Sequence, residues 1–260
     1  LITTPDIIKE LEMAEEVEQI DTDTSTALYY TEFQSAPADN IRIADHVSMV
    51  RAPEANSYGY TGKGIVVGLI DTGVNYLHED IADAMWTSDA YPLHGWDFAD
   101  GDSDPKDNYG HGTHCAGIIA GHNTNGGLRT GVAPDARIMA LKVMDTQDKS
   151  LQQYVWEAIE FALENGADVM NLSMGWNHNL NPDKKTWRDI MKNLQECGVL
   201  FVTAAGNEGS KLGLYPTPYN VRTPADCPAA WLNPEQPGRG ETSAVLTVGS
   251  IETDGSTPAS

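Results

Sequence analysis

Three polar residues, Asp71, His111 and Asn207, lie in sequence contexts that suit acid–base and oxyanion chemistry. Asp71 directly follows an apolar run, so its carboxylate would be partly desolvated and would need a hydrogen-bond donor. A histidine ring N–H is a natural partner, because such a pair fixes the tautomer and the direction of a general base. Taken alone, the Asp-Thr-Gly sequence is also ordinary turn chemistry, in which the carboxylate caps the next turn.

His111 begins a run of mostly small residues, Gly-Thr-His-Cys-Ala-Gly, that would let a helix lie close against a sheet. A histidine at the start of such a helix is held rigidly and can face the carboxyl ends of the strands. A competing interpretation takes His78, His111 and His114 as metal ligands, but no His-Glu-x-x-His sequence supports it. We expect His114 to be a packed, hydrogen-bonded core histidine instead.

Asn207 lies within the sequence Ala-Ala-Gly-Asn-Glu-Gly, at the end of another apolar run. The surrounding residues are small enough for a substrate to approach. A side-chain amide N–H here could donate to a developing oxyanion, and it keeps its donor at every pH. The simpler alternative is a loop residue that bonds to its own backbone.

Short apolar runs alternate with helical patterns from Tyr58 onwards, which predicts parallel strands joined by helices. The fold class is therefore α/β, with three layers and a mostly parallel central sheet flanked by helices. The expected strands span residues 65–70, 137–143, 168–173, 199–204 and 244–249. The expected helices span residues 151–164 and 187–196, and Gly166 and Gly198 would end them.

In sheets of this kind the reactive groups gather at the carboxyl ends of the strands, where Asp71, Ser173 and Asn207 fall. Residues 79–107 and 211–241 are long and turn-rich, and we expect both to be loop insertions around the site.

Residues 1–40 differ from the rest and are expected to form an N-terminal extension before a folded domain over residues 41–260. Thr4 to Asp21 begins with a capping pattern and helical spacing, and from Val17 it alternates like a strand. The polar residues 22–40 are expected to form a linker.

The formal net charge is -22, from 38 acidic and 16 basic residues. This argues against a nucleic-acid groove, which needs clustered Lys and Arg, and it suits a surface that attracts cations such as calcium. Acidity as a plain solubility feature explains the charge equally well. No apolar run approaches the ~20 residues of a membrane helix, so no membrane partner is expected.

Three cysteines form no framework of spaced pairs. Cys115 is expected to be a buried free thiol. Cys197 and Cys227 could pair, although nothing in their spacing demands it.

Further motifs stand in order along the chain: Tyr-Thr-Gly-Lys-Gly at 60–64, Gly-Val-Ala-Pro at 131–134, Asn-Leu-Ser-Met-Gly at 171–175 and Val-Gly-Ser-Ile at 248–251. Together with the Asp, His and Asn segments, they make the chain resemble the subtilisin-like serine proteases from about Ala52 to Ile251. The resemblance implies that Asp71 orients His111, that His111 is the general base and that Asn207 is the oxyanion donor.

The resemblance also implies two segments that bind the substrate backbone. One pairs with the peptide and lines the first specificity pocket, and it consists of Ser173, Met174 and Gly175. The opposing edge strand consists of Asp148, Lys149 and Ser150. A polypeptide substrate would lie between them as an added strand.

Structural calcium is implied by the same resemblance. Asp80 matches the family's carboxylate ligand, and the loop from Asn125 through Gly127 to Arg129 matches its binding loop. The family's N-terminal ligand has no clear counterpart at Ile41.

The family's nucleophile stands in Gly-Thr-Ser-Met-Ala, and the 260 residues contain no such segment. Ser243 precedes the last predicted strand and lacks the leading glycine, so we do not assign it as nucleophile. By family spacing the serine is expected about thirty residues after Ser260. It would follow further along the polypeptide or lie on a second chain; otherwise the protein is an inactive peptide-binding homologue.

Residues Asp6 to Thr24 resemble the end of the family's propeptide, which covers the substrate edge, although an acidic N-terminal extension is the alternative. Maturation cleavage would then fall between Thr26 and Asn40. Leu1 begins no signal sequence, so the protein is either intracellular or has lost its signal. The family resemblance favours a secreted or cell-surface enzyme.

Overall fold

The computed structural model describes residues 25–27, 44–122, 130–144, 149–209, 214–216, 219–227 and 244–250. The strands are β1 (Ser25–Ala27), β2 (Val66–Asp71), β3 (Gly95–Asp97), β4 (Arg137–Lys142), β5 (Lys149–Leu151), β6 (Val169–Leu172), β7 (Leu200–Ala204) and β8 (Val245–Val248). The α-helices are α1 (Asp45–Met49), α2 (Ala52–Ser57), α3 (His111–Ala120), α4 (Gln152–Glu164) and α5 (Lys184–Cys197).

Six strands form one sheet in the order β3-β4-β2-β6-β7-β8, and every pair in it is parallel. Their carboxyl ends therefore meet at one edge. The five strands expected from the apolar runs are all present, within one or two residues of the predicted bounds. The α/β class with a mostly parallel sheet is thus confirmed.

Two apolar clusters cover the two faces of the sheet. Successive residues of a strand point to opposite faces, and in β2 Leu69 joins one cluster while Ile70 joins the other. The cluster around Ile70 includes buried residues of α4 and α5, whereas the cluster around Leu69 includes Ala116 and Ala120 of α3. This places helices on both sides and gives the expected three layers.

Helix α5 begins three residues before its predicted start. The Asp183 side chain accepts hydrogen bonds from the backbone N–H groups of Lys185 and Thr186, which caps the first turn. The helix ends at Gly198, whose φ of 76° is left-handed, as its sequence position predicts.

Two short strands lie where the sequence predicts irregular structure. β3 interrupts the loop predicted over residues 79–107, and it pairs in parallel with β4. β1 lies inside the predicted linker at residues 22–40 and pairs antiparallel with β5. Each has three residues, too few for an alternating pattern to be visible. The helix and strand predicted for residues 4–21 lie outside the described residues.

All three cysteines are free in the structure, so Cys197 and Cys227 do not pair. Cys197 is exposed and Cys227 is buried, and burial together with the neighbouring Asp226 raises the pKa of Cys227 to about 12. Among the described helices, none has the length and apolar character needed to cross a bilayer.

Candidate active site

Asp71 is the last residue of β2 and its side chain is completely buried. Its Oδ1 accepts a hydrogen bond from Thr72 N over 2.8 Å and from His111 Nδ1 over 2.6 Å. A carboxylate has no donor, so the ring proton must sit on Nδ1, and Nε2 is left as the basic nitrogen. This is the tautomer that a general base requires.

Asp107 connects the loop after β2 to the start of α3. Its Oδ1 accepts from Thr72 Oγ1 over 3.0 Å and from Gly110 N over 2.8 Å, while its Oδ2 accepts from Thr113 N over 3.0 Å. Thr72 Oγ1 in turn accepts from Gly112 N over 2.9 Å. The Asp71 and His111 segments are therefore tied together by one carboxylate that the sequence analysis did not identify.

Gly112 allows α3 to approach β2 closely. A methyl group at this position would lie 2.0 Å from the Gly73 carbonyl oxygen and 3.1 Å from Asp71 Cβ. No side chain fits into that space, so glycine is required at the residue after the histidine.

Two opposing effects act on the His111 ring. Burial disfavours the charged ring, but hydrogen bonds with Asp71 and Cys115 favour it more strongly and raise the pKa of His111 from 6.5 to about 10. The Cys115 Sγ lies 3.9 Å from His111 Nδ1, one helical turn along α3. Cys115 is a free, half-buried thiol rather than the fully buried one expected.

The alternative metal site at His78, His111 and His114 does not form. In the part of the chain that the structure describes, the one group of acidic, His and Cys ligands close enough to share an ion is Asp71, His111 and Cys115. His114 itself is exposed, so its prediction as a packed core histidine is wrong. It lies on the side of α3 that faces away from the sheet.

Asn207 follows the carboxyl end of β7 and is exposed. One strand, β6, separates β7 from β2, so Asn207 and Asp71 both follow strands that end at the same edge of the sheet. The Asn207 backbone N–H donates over 2.9 Å to Oε2 of the buried Glu208. The role of the Asn207 side chain as an oxyanion donor stays a prediction.

Ser173, Met174 and Gly175 directly follow β6, at the same edge of the sheet. Ser173 Oγ accepts from Asn171 Nδ2 over 3.0 Å. The Met174 side chain belongs to the apolar core, so this residue can contact a substrate only through its backbone. The opposing segment contains Lys149 and the buried Ser150 in β5, while Asp148 lies outside the described residues.

Asp80 is half-buried, and its carbonyl accepts from His122 N over 2.9 Å. Gly131 N donates to the Gly121 carbonyl over 2.9 Å, so the two ends of the loop at residues 123–129 are held together beside Asp80. The other expected ligands, Asn125, Gly127 and Arg129, lie outside the described residues.

A buried ion pair that sequence analysis missed flanks the site. Lys142 is the β4 residue in register with Asp71, and its Nζ donates to Asp97 at the end of β3. A lysine at the end of an apolar strand is a signal that could have predicted a buried acidic partner.

The family model described as the subtilase family matches residues 62–260. Three curated relatives are similar over about two thirds of this chain. The minor extracellular protease Vpr of Bacillus subtilis is 39% identical over 184 residues, which cover 67% of this chain and 22% of that protein. The major intracellular serine protease of the same bacterium is 34% identical, with coverage of 68% and 55%. Thermitase of Thermoactinomyces vulgaris is 34% identical, with coverage of 66% and 57%.

The chain spans about half the length, or less, of the curated relatives that it matches. The family model nevertheless covers most of the chain. Asp71 at the end of β2 and His111 at the start of α3 are hydrogen-bonded to each other. The chain belongs to the subtilase family of serine proteases.

Proposed function

We propose that the protein is a serine endopeptidase in which Asp71 and His111 activate a serine located C-terminal to residue 260 or on a second chain. The observation that carries this proposal is the 2.6 Å hydrogen bond from the His111 ring to the buried Asp71, at the edge where parallel strands end. Membership of the subtilase family supports it.

In the proposed mechanism the serine oxygen attacks the peptide carbonyl and His111 Nε2 takes its proton. Asp71 keeps the ring oriented and stabilises the imidazolium that forms. The Asn207 side chain donates to the oxyanion of the tetrahedral intermediate. The ring then gives its proton to the leaving amine, and water hydrolyses the acyl-enzyme by the same route in reverse.

A fluorophosphonate probe tests this proposal on the full-length protein, because it labels only an activated serine. Labelling is expected in the unmodified protein and should be lost in His111→Ala. His114→Ala is the matched control, since it removes an exposed histidine from the same helix and should leave labelling intact. Full-length protein that stays unlabelled would refute the endopeptidase function.

The edge strand β5 supports a second candidate, a peptide-binding module without catalysis. β1 already pairs with β5 in antiparallel fashion, so this edge can accept an extended segment whether or not a serine is present. This alternative requires affinity for extended peptides without turnover in the full-length protein.

We further propose that residues 1–40 act as a propeptide whose β1 segment occupies part of the substrate path. Thr26 is the partner of Ser150 in the pairing, and Ser150 belongs to the segment expected to bind substrate. A synthetic peptide spanning residues 19–29 should therefore inhibit the matured enzyme competitively, whereas a scrambled peptide of equal composition should not. Inhibition that is absent or non-competitive would contradict the propeptide role.

Calcium is part of the proposal, held by Asp80 and by amide and carbonyl oxygens of the 125–129 loop. Oxygen donors of this kind suit a hard cation, and the loop ends are fastened beside Asp80. Chelation should lower the melting temperature of the unmodified protein by several degrees and leave Asp80→Asn unchanged. Asp83→Asn, which alters an exposed carboxylate three residues away, should respond like the unmodified protein.

We also propose that the enzyme acts outside the cell, in keeping with the extracellular protease Vpr. An intracellular relative also matches, so the two locations compete. Immunodetection of the protein in culture medium and in cell lysate separates them.

A further inference from the structure

Arg222 and Glu208 form a buried ion pair beside the candidate oxyanion donor. Their side chains are 6% and 3% exposed. Arg222 Nε and Nη2 donate to the two carboxylate oxygens of Glu208 over 3.0 and 2.6 Å, and Nη1 donates to the Gly175 carbonyl over 3.3 Å. The bidentate geometry fixes the orientation of both side chains.

The backbone around Arg222 joins the two segments that flank the substrate path. Arg222 N donates to the Ala205 carbonyl over 2.9 Å, on the segment that leads to Asn207. The next residue, Thr223, exchanges hydrogen bonds of 2.8 and 3.0 Å with Trp176, directly after Gly175. Arg222 therefore lies at the floor between the 173–175 segment and the 204–207 segment.

The aliphatic part of the Arg222 side chain fills the space between the 173–175 and 204–207 segments, which form the two walls of this space. A methyl group built on Gly175 would lie 3.0 Å from Arg222 Cβ, and one built on Gly206 would lie 2.8 Å from Arg222 Cγ. The methyl group on Gly206 would also lie 2.8 Å from Glu208 Oε2. Neither wall has room for one more carbon atom in the direction of the arginine.

We infer that Arg222, held by Glu208, closes the first specificity pocket, so that the enzyme prefers peptides with a small uncharged residue before the scissile bond. The inference rests on the proposed function, because it places the scissile carbonyl beside Asn207 and the preceding backbone along residues 173–175. The side chain of that substrate residue must then enter the space between the two walls.

The chemistry of the pair sets the preference. A large apolar side chain would have to separate Arg222 from Glu208. Each charge would then be buried without its partner, which is strongly unfavourable. An acidic or basic side chain gains no ion pair here, because the Arg222 guanidinium and the Glu208 carboxylate are already paired with each other. Gly, Ala and Ser are small and uncharged, so they require no change in the ion pair.

The test measures binding rather than hydrolysis, and it uses the matured protein without residues 1–40, because β1 is proposed to occupy part of the substrate path. Two fluorescently labelled peptides mimic the acyl half of a cleaved substrate and differ only in their C-terminal residue, Ala or Phe. Anisotropy titrations should give about tenfold tighter binding of the Ala peptide, since crowding a packed site by an aromatic ring typically costs about that factor.

A double variant and a matched control show whether the ion pair causes the preference. Glu208→Gln combined with Arg222→Ala removes both charges together, so no buried carboxylate is left alone, and it should bring the Phe peptide to equal or tighter binding. Lys185→Ala breaks the exposed ion pair between Lys185 and Asp189, both on α5, and should keep the preference for Ala. If the double variant does not fold, Arg222→Lys, which has a shorter side chain, should reduce the preference for the Ala peptide instead.

Equal binding of both peptides, tighter binding of the Phe peptide, or no binding of either in the unmodified protein overturns the inference. So does a double variant that folds and keeps the preference for Ala. Because binding requires no serine, the outcome is separable from fluorophosphonate labelling. Labelled protein that prefers Phe refutes the pocket inference alone, whereas unlabelled protein that prefers Ala refutes the endopeptidase function alone.

Discussion

At the scale of single residues, the contact between Asp71 and His111 decides when the ring is able to act as a base. Only the neutral ring accepts a proton, and the pKa of His111 is raised to about 10 by hydrogen bonds with Asp71 and Cys115 that outweigh its burial. The neutral fraction therefore increases as the pH rises towards that value. The same contacts stabilise the imidazolium formed during the reaction.

This gives a prediction for the pH dependence of hydrolysis. In the full-length enzyme kcat/KM should rise with pH above 7 and level off near the pKa of about 10. Asp71→Asn removes the negative partner, so it should move the rising limb to lower pH and also reduce the plateau, because the ring loses its orientation. The profile is measured with a chromogenic peptide, and an unchanged limb in Asp71→Asn would contradict the assignment.

The candidate catalytic residues are easier to recognise from the sequence than the residues that hold them in place. Asp71, His111 and Asn207 follow apolar runs or begin a small-residue run, and these local signals can be recognised. Asp107 has no such signal, because its partners Thr72 and Thr113 are brought to it only by the packing of α3 on the sheet. Asp97 and Arg222 are similar cases, since each is explained by a partner distant in the sequence.

At the scale of elements, the buried parallel strands are predictable because such strands are continuously apolar, whereas short edge strands are not. β3 has three residues and its role is visible only from its neighbour, since Asp97 compensates the charge of Lys142 on β4. β1 is equally short, and its pairing with β5 is a long-range contact that no local pattern encodes. The helices with a clear apolar face, α4 and α5, are found with small errors at their starts.

The attachment of α3 to the loop after β2 gives a second prediction. Asp107→Ala leaves Thr72, Gly110 and Thr113 without their shared acceptor, which should lower the free energy of unfolding by about 1–3 kcal/mol. The start of α3 then loses its fixed position, so kcat should fall more than KM changes. Urea unfolding and peptide hydrolysis measure the two effects.

Asp104→Asn is the appropriate control for that variant. Asp104 accepts from Tyr76 Oη, after β2, and from Lys106 N, after β3, and none of its described hydrogen bonds reaches α3. Its substitution should reduce stability without a selective loss of kcat. Equal kinetic effects of the two variants would mean that Asp107 has no special positioning role.

At the scale of the whole molecule, the net charge of -22 would, under the proposed function, act on substrates before they bind. A strongly negative surface raises the local concentration of cationic peptides and accelerates their encounter, and dissolved salt screens this effect. We therefore expect the acidity to influence substrate choice at a distance, separately from the pocket proposed around Arg222.

The corresponding prediction concerns ionic strength. For a peptide that carries lysines outside the pocket position, kcat/KM should fall several-fold when salt is raised from about 0.02 to 0.5 M. A neutral peptide of the same length should change little, and an acidic one should be cut faster as salt increases. Identical salt responses of the three peptides would exclude electrostatic steering.

The hydrogen bonds that hold the Asp71 and His111 segments together join residues 72–75 to residues 105–113, including those from Val74 N to the Pro105 carbonyl and from Asn75 N to Thr113 Oγ1. The candidate catalytic pair therefore lies on one continuous stretch of the polypeptide. The place of this stretch in the sheet nevertheless depends on β4 and β6, which pair with β2 on its two sides. Under the proposed function, an attempt at fragment complementation, in which two separately made pieces regain activity on meeting, should therefore use a first piece that extends through β6.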